Sequence, residues 1–479
     1  MTGKSKLWMI AALLFFAAGL LYVGHRVPTF ATMDGAENET STGSMPSGIF
    51  GTIDEKQTLY FAYSDESLTA YIEGASAAYG EHHNVRVIPQ LIAEGDFVEA
   101  IHEATMQTNE VPDLYLLNHD SLEKAYLAGL AAPIHDSTKI VTGAYFPQTA
   151  LSAVTYQDKL LAYPFSYETS ILLYNKTYLR EWALQQAHTE AALSSSGEEG
   201  SEEAMSLDEE AVQSRADEIL AQALPTTVND ILNIANTFDV PQLVDGVFLW
   251  DVSDIFYNYW FVGSYMQLGG EDGDDRTVVN INNPEAIASL EVYQSLNQFF
   301  SIASDTVSYD SILNDFLAGK SVFTIVTTDA VQRLANASAN GEFPYEYGFS
   351  RIPNVSDLLQ SRSMSVTQGI VVNGYSTHKE EANQFAAFLA TEYAQNMYEK
   401  TGMMSAALMT ATASSDLSIF LAEYESGIPL PKMMEASNYW LRLELLFSKV
   451  WNGGNVPQLV EELSDQILLQ LSDSVTSMR

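Results

Sequence analysis

The chain has 479 residues, long enough for two lobes with separate cores. Its 47% hydrophobic and 18% charged content is that of a folded globular protein and excludes wholesale disorder. With 22 Lys and Arg against 62 Asp and Glu, the net charge of −40 repels nucleic acid and polyanions and favours a neutral or cationic ligand, while the absence of Cys excludes disulfides, thiolate metal sites and Cys nucleophiles.

Lys4 and Lys6 precede an apolar run from Leu7 to Val23, 17 residues at the lower limit for a spanning helix. This is an export signal. Thr29-Phe30-Ala31 is a poor cleavage site, so an uncleaved anchor is expected, with a cleaved signal as the alternative. Residues 1–28 thus read as a signal or anchor helix, and 29–56, rich in Ser, Thr, Gly, Glu and Asn, as a flexible tether.

Apolar strand-length runs at Thr58–Tyr63, Val85–Ile88 and Leu114–Leu117 alternate with helical periods at Ser67–Tyr79, Phe97–Met106 and Ser121–Ala128. Such alternation implies a parallel, doubly wound α/β sheet with its crevice beyond the strands' carboxyl ends. Asp65, Glu66 and Asp120 lie in the segments that leave those ends; each segment also offers a helix cap, and both readings stand.

Leu160–Phe165 is an apolar run broken by Pro164, and Ser170–Tyr174 is a second run closed by Asn175 and Lys176. The polar, aromatic link Ser166–Thr169 between them is short enough to carry the chain from one lobe to the other, with Glu168 facing the cleft. Residues 181–222 read as an acidic insertion, solvated from Ser194 to Glu203, with a helix from Leu207 to Leu220. The aromatic stretch Asp254–Leu268 reads as a helix buried on nearly all sides. Glu271–Asp275 lacks the alternating ligands of a calcium loop and reads as a turn. Thr327 closes a strand at the cleft, and Tyr347–Pro353 and Val366–Asn373 are strands that return the chain to the first lobe.

The order of YPFSYE, LLYNK, PDLYLLNHDSLEKAYLAGLAAPI, FLAGKSVFTI and PKMMEASNYWLRLELLFSKVWNGG resembles the bacterial extracellular solute-binding proteins of the maltose-binding, family 1 type. The resemblance implies a hinged, two-lobed periplasmic-binding-protein-like fold of type II behind an N-terminal membrane helix. It places 57–166 and 349–404 in lobe 1, and 167–348 and 405–479 in lobe 2. It also implies a cleft-facing ring before Gly269-Gly270, for which Tyr257 and Trp260 are candidates, and a ligand-stacking Trp440 with Tyr439 beside it; a core role remains open for each. Leu117 and Ser121 stand where maltose-binding members carry an aromatic residue and an Arg.

The function so implied is capture of a small solute, a neutral sugar or oligosaccharide, for delivery to the permease subunits of an ABC importer at the extracellular face of the membrane. The chain would be held there by its N-terminal helix. No nucleic acid partner, cofactor or enzymatic activity is expected. A membrane-anchored ligand-sensing protein is the alternative, followed by a glycosidase using paired carboxylates; the sequence has no HExxH, P-loop, GxSxG or GxGxxG site.

Overall fold

The computed structural model describes residues 56–93, 95–107, 110–134, 139–195, 209–411 and 415–477. The expected anchor helix, nearly all of the tether and most of the acidic stretch lie outside the described residues. Among the described residues no helix is long and apolar enough to cross a membrane.

β1 (Gln57–Tyr63), β2 (Val85–Leu91) and β3 (Leu114–Asn118) run parallel, with β1 between the other two. The apolar runs of β1 and β3 are covered on both faces, Leu59, Phe61, Leu114 and Leu116 entering one core and Ala62, Tyr115 and Leu117 another, while the edge strand β2 leaves Arg86 and Leu91 exposed. The helix Thr69–His82 supplies part of that cover with Tyr71, Ile72, Ala75 and Tyr79 along one stripe. A small hairpin follows, β4 (Thr155–Tyr156) with β5 (Lys159–Leu160), and then β6 (Ala162–Thr169).

Ser170 alone separates β6 from β7 (Ile171–Asn175), which belongs to another sheet. There β7 pairs antiparallel with β11 (Ser321–Val326) and β12 (Tyr347–Ser350), and β11 pairs parallel with β8 (Gly246–Phe248); β9 (Gln267–Gly269) and β10 (Asp275–Asn280) form a separate hairpin. The chain then rejoins the first sheet through β13 (Met364–Val372), β14 (Met404–Ser405) and β15 (Ile428–Pro429). A final crossing leads to the helices Tyr439–Trp451 and Val456–Ser477, which pack into the second core. Two lobes therefore meet along crossings at Ser170, at 351–363 and at 430–438.

Three features differ from the sequence reading. The first sheet is mixed: β13 arrives from the other lobe and runs antiparallel between β3 and β6. Tyr347–Ser350 stays in the second sheet on β7, where Gly348 lets the Tyr174 ring approach the backbone; a Cβ there would lie 2.6 Å from that ring. Asp254–Leu268 is not a helix but the 3-10 turns Ile255–Tyr257 and Tyr259–Phe261 followed by β9. The buried Asn258 amide explains this, since it donates to Asp251 O at 2.8 Å and Asp254 O at 2.7 Å and so competes with helical bonding.

Within the expected insertion, the helices Lys176–Ser195 and Glu209–Leu220 pack through Ala187, Val212 and Ala216. Arg215 ties them together through Glu190 at 2.7 Å.

Candidate functional site

A cavity of about 640 Å³ opens between the two sheets, within the size range of small-molecule sites. The first lobe contributes Asn118 and Asp120 from the end of β3, Ser166, Tyr167 and Glu168 from β6, and Val366 and Gln368 from β13. The second lobe contributes Asp254, Phe256 and Tyr257 from the first 3-10 turn and its cap, and Thr327 from the end of β11; Leu430, Ser437 and Trp440 come from the last crossing and the helix it enters.

On the first-lobe side, Asn118 and Gln368 are direct cross-strand partners on β3 and β13. A register shift between Gln368 and Gly369 marks an irregularity in β13 opposite β6. His119, buried behind Asn118, receives the Thr367 N–H on Nδ1 at 3.1 Å. Burial, with the Lys432 ammonium nearby, pushes its pKa down to about 3, so the imidazole stays neutral. The Tyr167 ring stacks on Tyr424 with centroids 4.2 Å apart. Tyr167 Oη and Gln368 Oε1 have no hydrogen-bond partner among the described residues.

Glu168 lies where the two lobes meet. The Thr328 hydroxyl, beyond β11, donates to its Oε1 at 3.4 Å. Burial and the Asp329 carboxylate raise its pKa to about 7, so near neutrality the same side chain offers both a donor and an acceptor form. Asp120 is open to the cavity, yet the protein mass around it also raises its carboxyl pKa.

On the second-lobe side, Asp254 caps its turn by accepting from Phe256 N at 2.8 Å, and burial reinforced by Asp251 raises its pKa. Tyr257 stacks on Tyr309, centroids 4.9 Å apart and planes 6° from parallel. Tyr309 Oη donates to Asp329 at 2.5 Å, and the Thr327 hydroxyl donates to the same oxygen at 2.6 Å. The aromatic wall is thereby held by a carboxylate behind it. Trp440, second residue of its helix, is half-buried with its ring 6.3 Å from Tyr259.

Of the residues singled out in the sequence, Asp120, Glu168, Tyr257, Thr327 and Trp440 line this one cavity. The others do not. Asp65 caps a 3-10 turn by accepting from Ser67 N at 2.8 Å, and Glu66 is exposed within that turn. Trp260 is wholly buried and donates its indole N–H to Tyr257 O at 3.0 Å. Tyr439 is buried beside Tyr259 and lines a separate recess with Arg362. Asn118, Tyr167, Asp254, Phe256, Gln368 and Ser437 were not singled out. Tyr167 and Phe256 directly precede the singled-out Glu168 and Tyr257, and Asn118 lies two residues before Asp120, whereas Gln368 reaches the site through strand pairing that local pattern does not report.

The Glu271–Asp275 turn serves as a lobe contact. Asp272 accepts from Ser152 Oγ at 2.5 Å, Asp274 from Gln157 N at 2.9 Å, and Gly273 O from Lys432 N at 2.7 Å. No group of His, Asp or Glu suited to a metal occurs among the described residues.

Comparison with known proteins agrees with this architecture. The solute-binding protein of Staphylococcus aureus in complex with maltose superposes with a TM-score of 0.67 at 19% identity, over 87% of this chain and 98% of that one. A cyclo/maltodextrin-binding protein complexed with maltotetraose gives 0.65 at 17% identity, over 90% and 99%. A galactooligosaccharide-binding protein of Bacillus subtilis is 21% identical over 417 residues, 83% of this chain and 85% of that protein. The family described as bacterial extracellular solute-binding protein matches residues 74–424, and the chain is a member of that family.

Proposed function

We propose that the protein captures an oligosaccharide between its lobes and passes it to the permease subunits of an ABC importer. The observation that carries this reading is the interlobe cavity itself, with aromatic side chains from both lobes, Tyr167 on one side and Tyr257 and Trp440 on the other. Rings of this kind cover the apolar faces of pyranoses, while Asn118, Gln368, Glu168 and Asp254 are placed for their hydroxyls. The short crossings allow hinge closure, which buries the ligand and reports occupancy to a membrane partner. The sugar-binding names of the similar proteins support the same class. Leu117 and Ser121, by contrast, favour a saccharide other than maltodextrin.

The same proposal places the protein at the extracellular face of the membrane, anchored through Leu7–Val23. N-terminal sequencing of the exported chain tests the anchor; a start near Thr32 would show a cleaved signal instead. Thermal-shift screening against galacto- and malto-oligosaccharides, polyols and peptides tests the ligand class, since a bound ligand raises the apparent stability. Stabilisation by saccharides supports the reading, and stabilisation by peptides or polyols alone overturns it.

A further inference from the structure

The charged side chains that line the cavity are all of one sign. Asp120 and Glu168 stand on the first lobe and Asp254 on the second, and no Lys, Arg or His is among the described residues lining it. The nearby basic groups are engaged elsewhere or neutral. The Lys432 ammonium donates to Ser152 O at 2.7 Å and Thr155 O at 2.5 Å, and Arg333 pairs with Asp310 at 2.8 Å and Asp329 at 3.5 Å. His119 is uncharged. Hinge closure therefore brings carboxylates of opposite lobes toward one another, and like charges in a shrinking, water-poor space repel.

We propose that the saccharide taken by this cleft carries a protonated amine, which sits between the carboxylates of the two lobes and favours closure. This refinement rests on the saccharide reading above. The rings support it as well, since the faces of Tyr167, Tyr257 and Trp440 attract a cation as readily as they cover a sugar. A small isolated amine would leave most of the 640 Å³ unfilled, which argues for an amine borne on a larger, polyhydroxylated body. The raised pKa values of Asp120, Glu168 and Asp254 accord with carboxylates that lack a cationic partner. The net charge of −40 further draws a cation toward the cleft.

The test is calorimetric titration, at neutral pH and low salt, with di- and trisaccharides of glucosamine and galactosamine. Each is paired with its N-acetylated form and with the glucose or galactose counterpart. The amine form is expected to bind at least about tenfold tighter than either neutral form. That preference should shrink in ~0.5 M NaCl, which screens the pairing. It should also shrink in Asp254→Asn and in Glu168→Gln, each of which should weaken the amine form more than its neutral counterparts. Equal or tighter binding of the neutral forms overturns this inference and leaves the proposed function standing. A preference indifferent to salt and to both substitutions also overturns it. Silence from every saccharide, charged or neutral, overturns both.

Discussion

Arg276 on β10 donates to the Glu123 carboxylate at 2.6 Å, joining the second lobe to a first-lobe side chain that has no solvent exposure. Glu123 also accepts from Tyr156 Oη and from Met434 N, each at 2.5 Å, and Arg276 reaches Glu435 at 3.0 Å. Removing the cation leaves a buried carboxylate without its counter-charge, which is costly even where the intact pair adds little. Arg276→Met is expected to lose about 3 kcal/mol in urea unfolding. A change below about 0.5 kcal/mol would mean that water or another cation replaces the pair.

The Glu168 carboxyl has a definite signature in pH. Its folded pKa is raised to about 7 by burial and Asp329, above the 4.5 of an ordinary glutamate, so between those values the folded state holds more protons than the unfolded state. Stability contributed by this group therefore falls as pH rises through that window, and the full penalty is present above it. Glu168→Gln should match wild type near pH 4 and exceed it by on the order of 2 to 3 kcal/mol above pH 7. A difference that does not vary with pH would contradict the assignment.

Gly273, at the tip of the lobe-contacting turn, has φ +72°, and a Cβ there would lie 3.1 Å from Leu430 O and from Pro431 Cα. Gly341 has the same φ with nothing within 4 Å of an added Cβ. Both Gly→Ala changes should cost about 1 to 2 kcal/mol for the left-handed backbone. Gly273→Ala should cost more, because it also presses on the last crossing. Equal losses in thermal unfolding would show that the contact yields freely.

Deleting Ser196–Glu203 should leave the melting temperature and ligand affinity unchanged. So polar a sequence contributes little burial, and the helices on either side pack through Ala187, Val212 and Ala216 without it. A melting temperature several degrees lower would show that the acidic stretch stabilises the body.

Much of this fold was legible because the first lobe is built from local patterns. The apolar runs of β1, β2 and β3 and the helical stripe through Tyr71, Ile72, Ala75 and Tyr79 are visible one segment at a time. The direction of β13 and the placement of β12 on β7 depend on partners far away in sequence, and no local period encodes them. The same contrast holds in the cleft. Glu168 was readable because a two-lobe crossing places it, whereas Gln368 enters through its pairing with Asn118. Tyr257 and Trp260 could not be separated by composition. The 3-10 turns imposed by Asn258 turn one toward the cavity and bury the other in the core.

The central claim is that a saccharide is held between the lobes, with Trp440 against it. Isothermal titration of the best saccharide into wild type and Trp440→Ala, with thermal unfolding of both unliganded proteins, tests this directly. Loss of a stacking ring is expected to weaken binding by roughly tenfold to a hundredfold, on the order of 1 to 3 kcal/mol, with little change in the unliganded melting temperature. Unchanged affinity, accompanied by a loss of several kcal/mol in stability from a vacated core position, would contradict it.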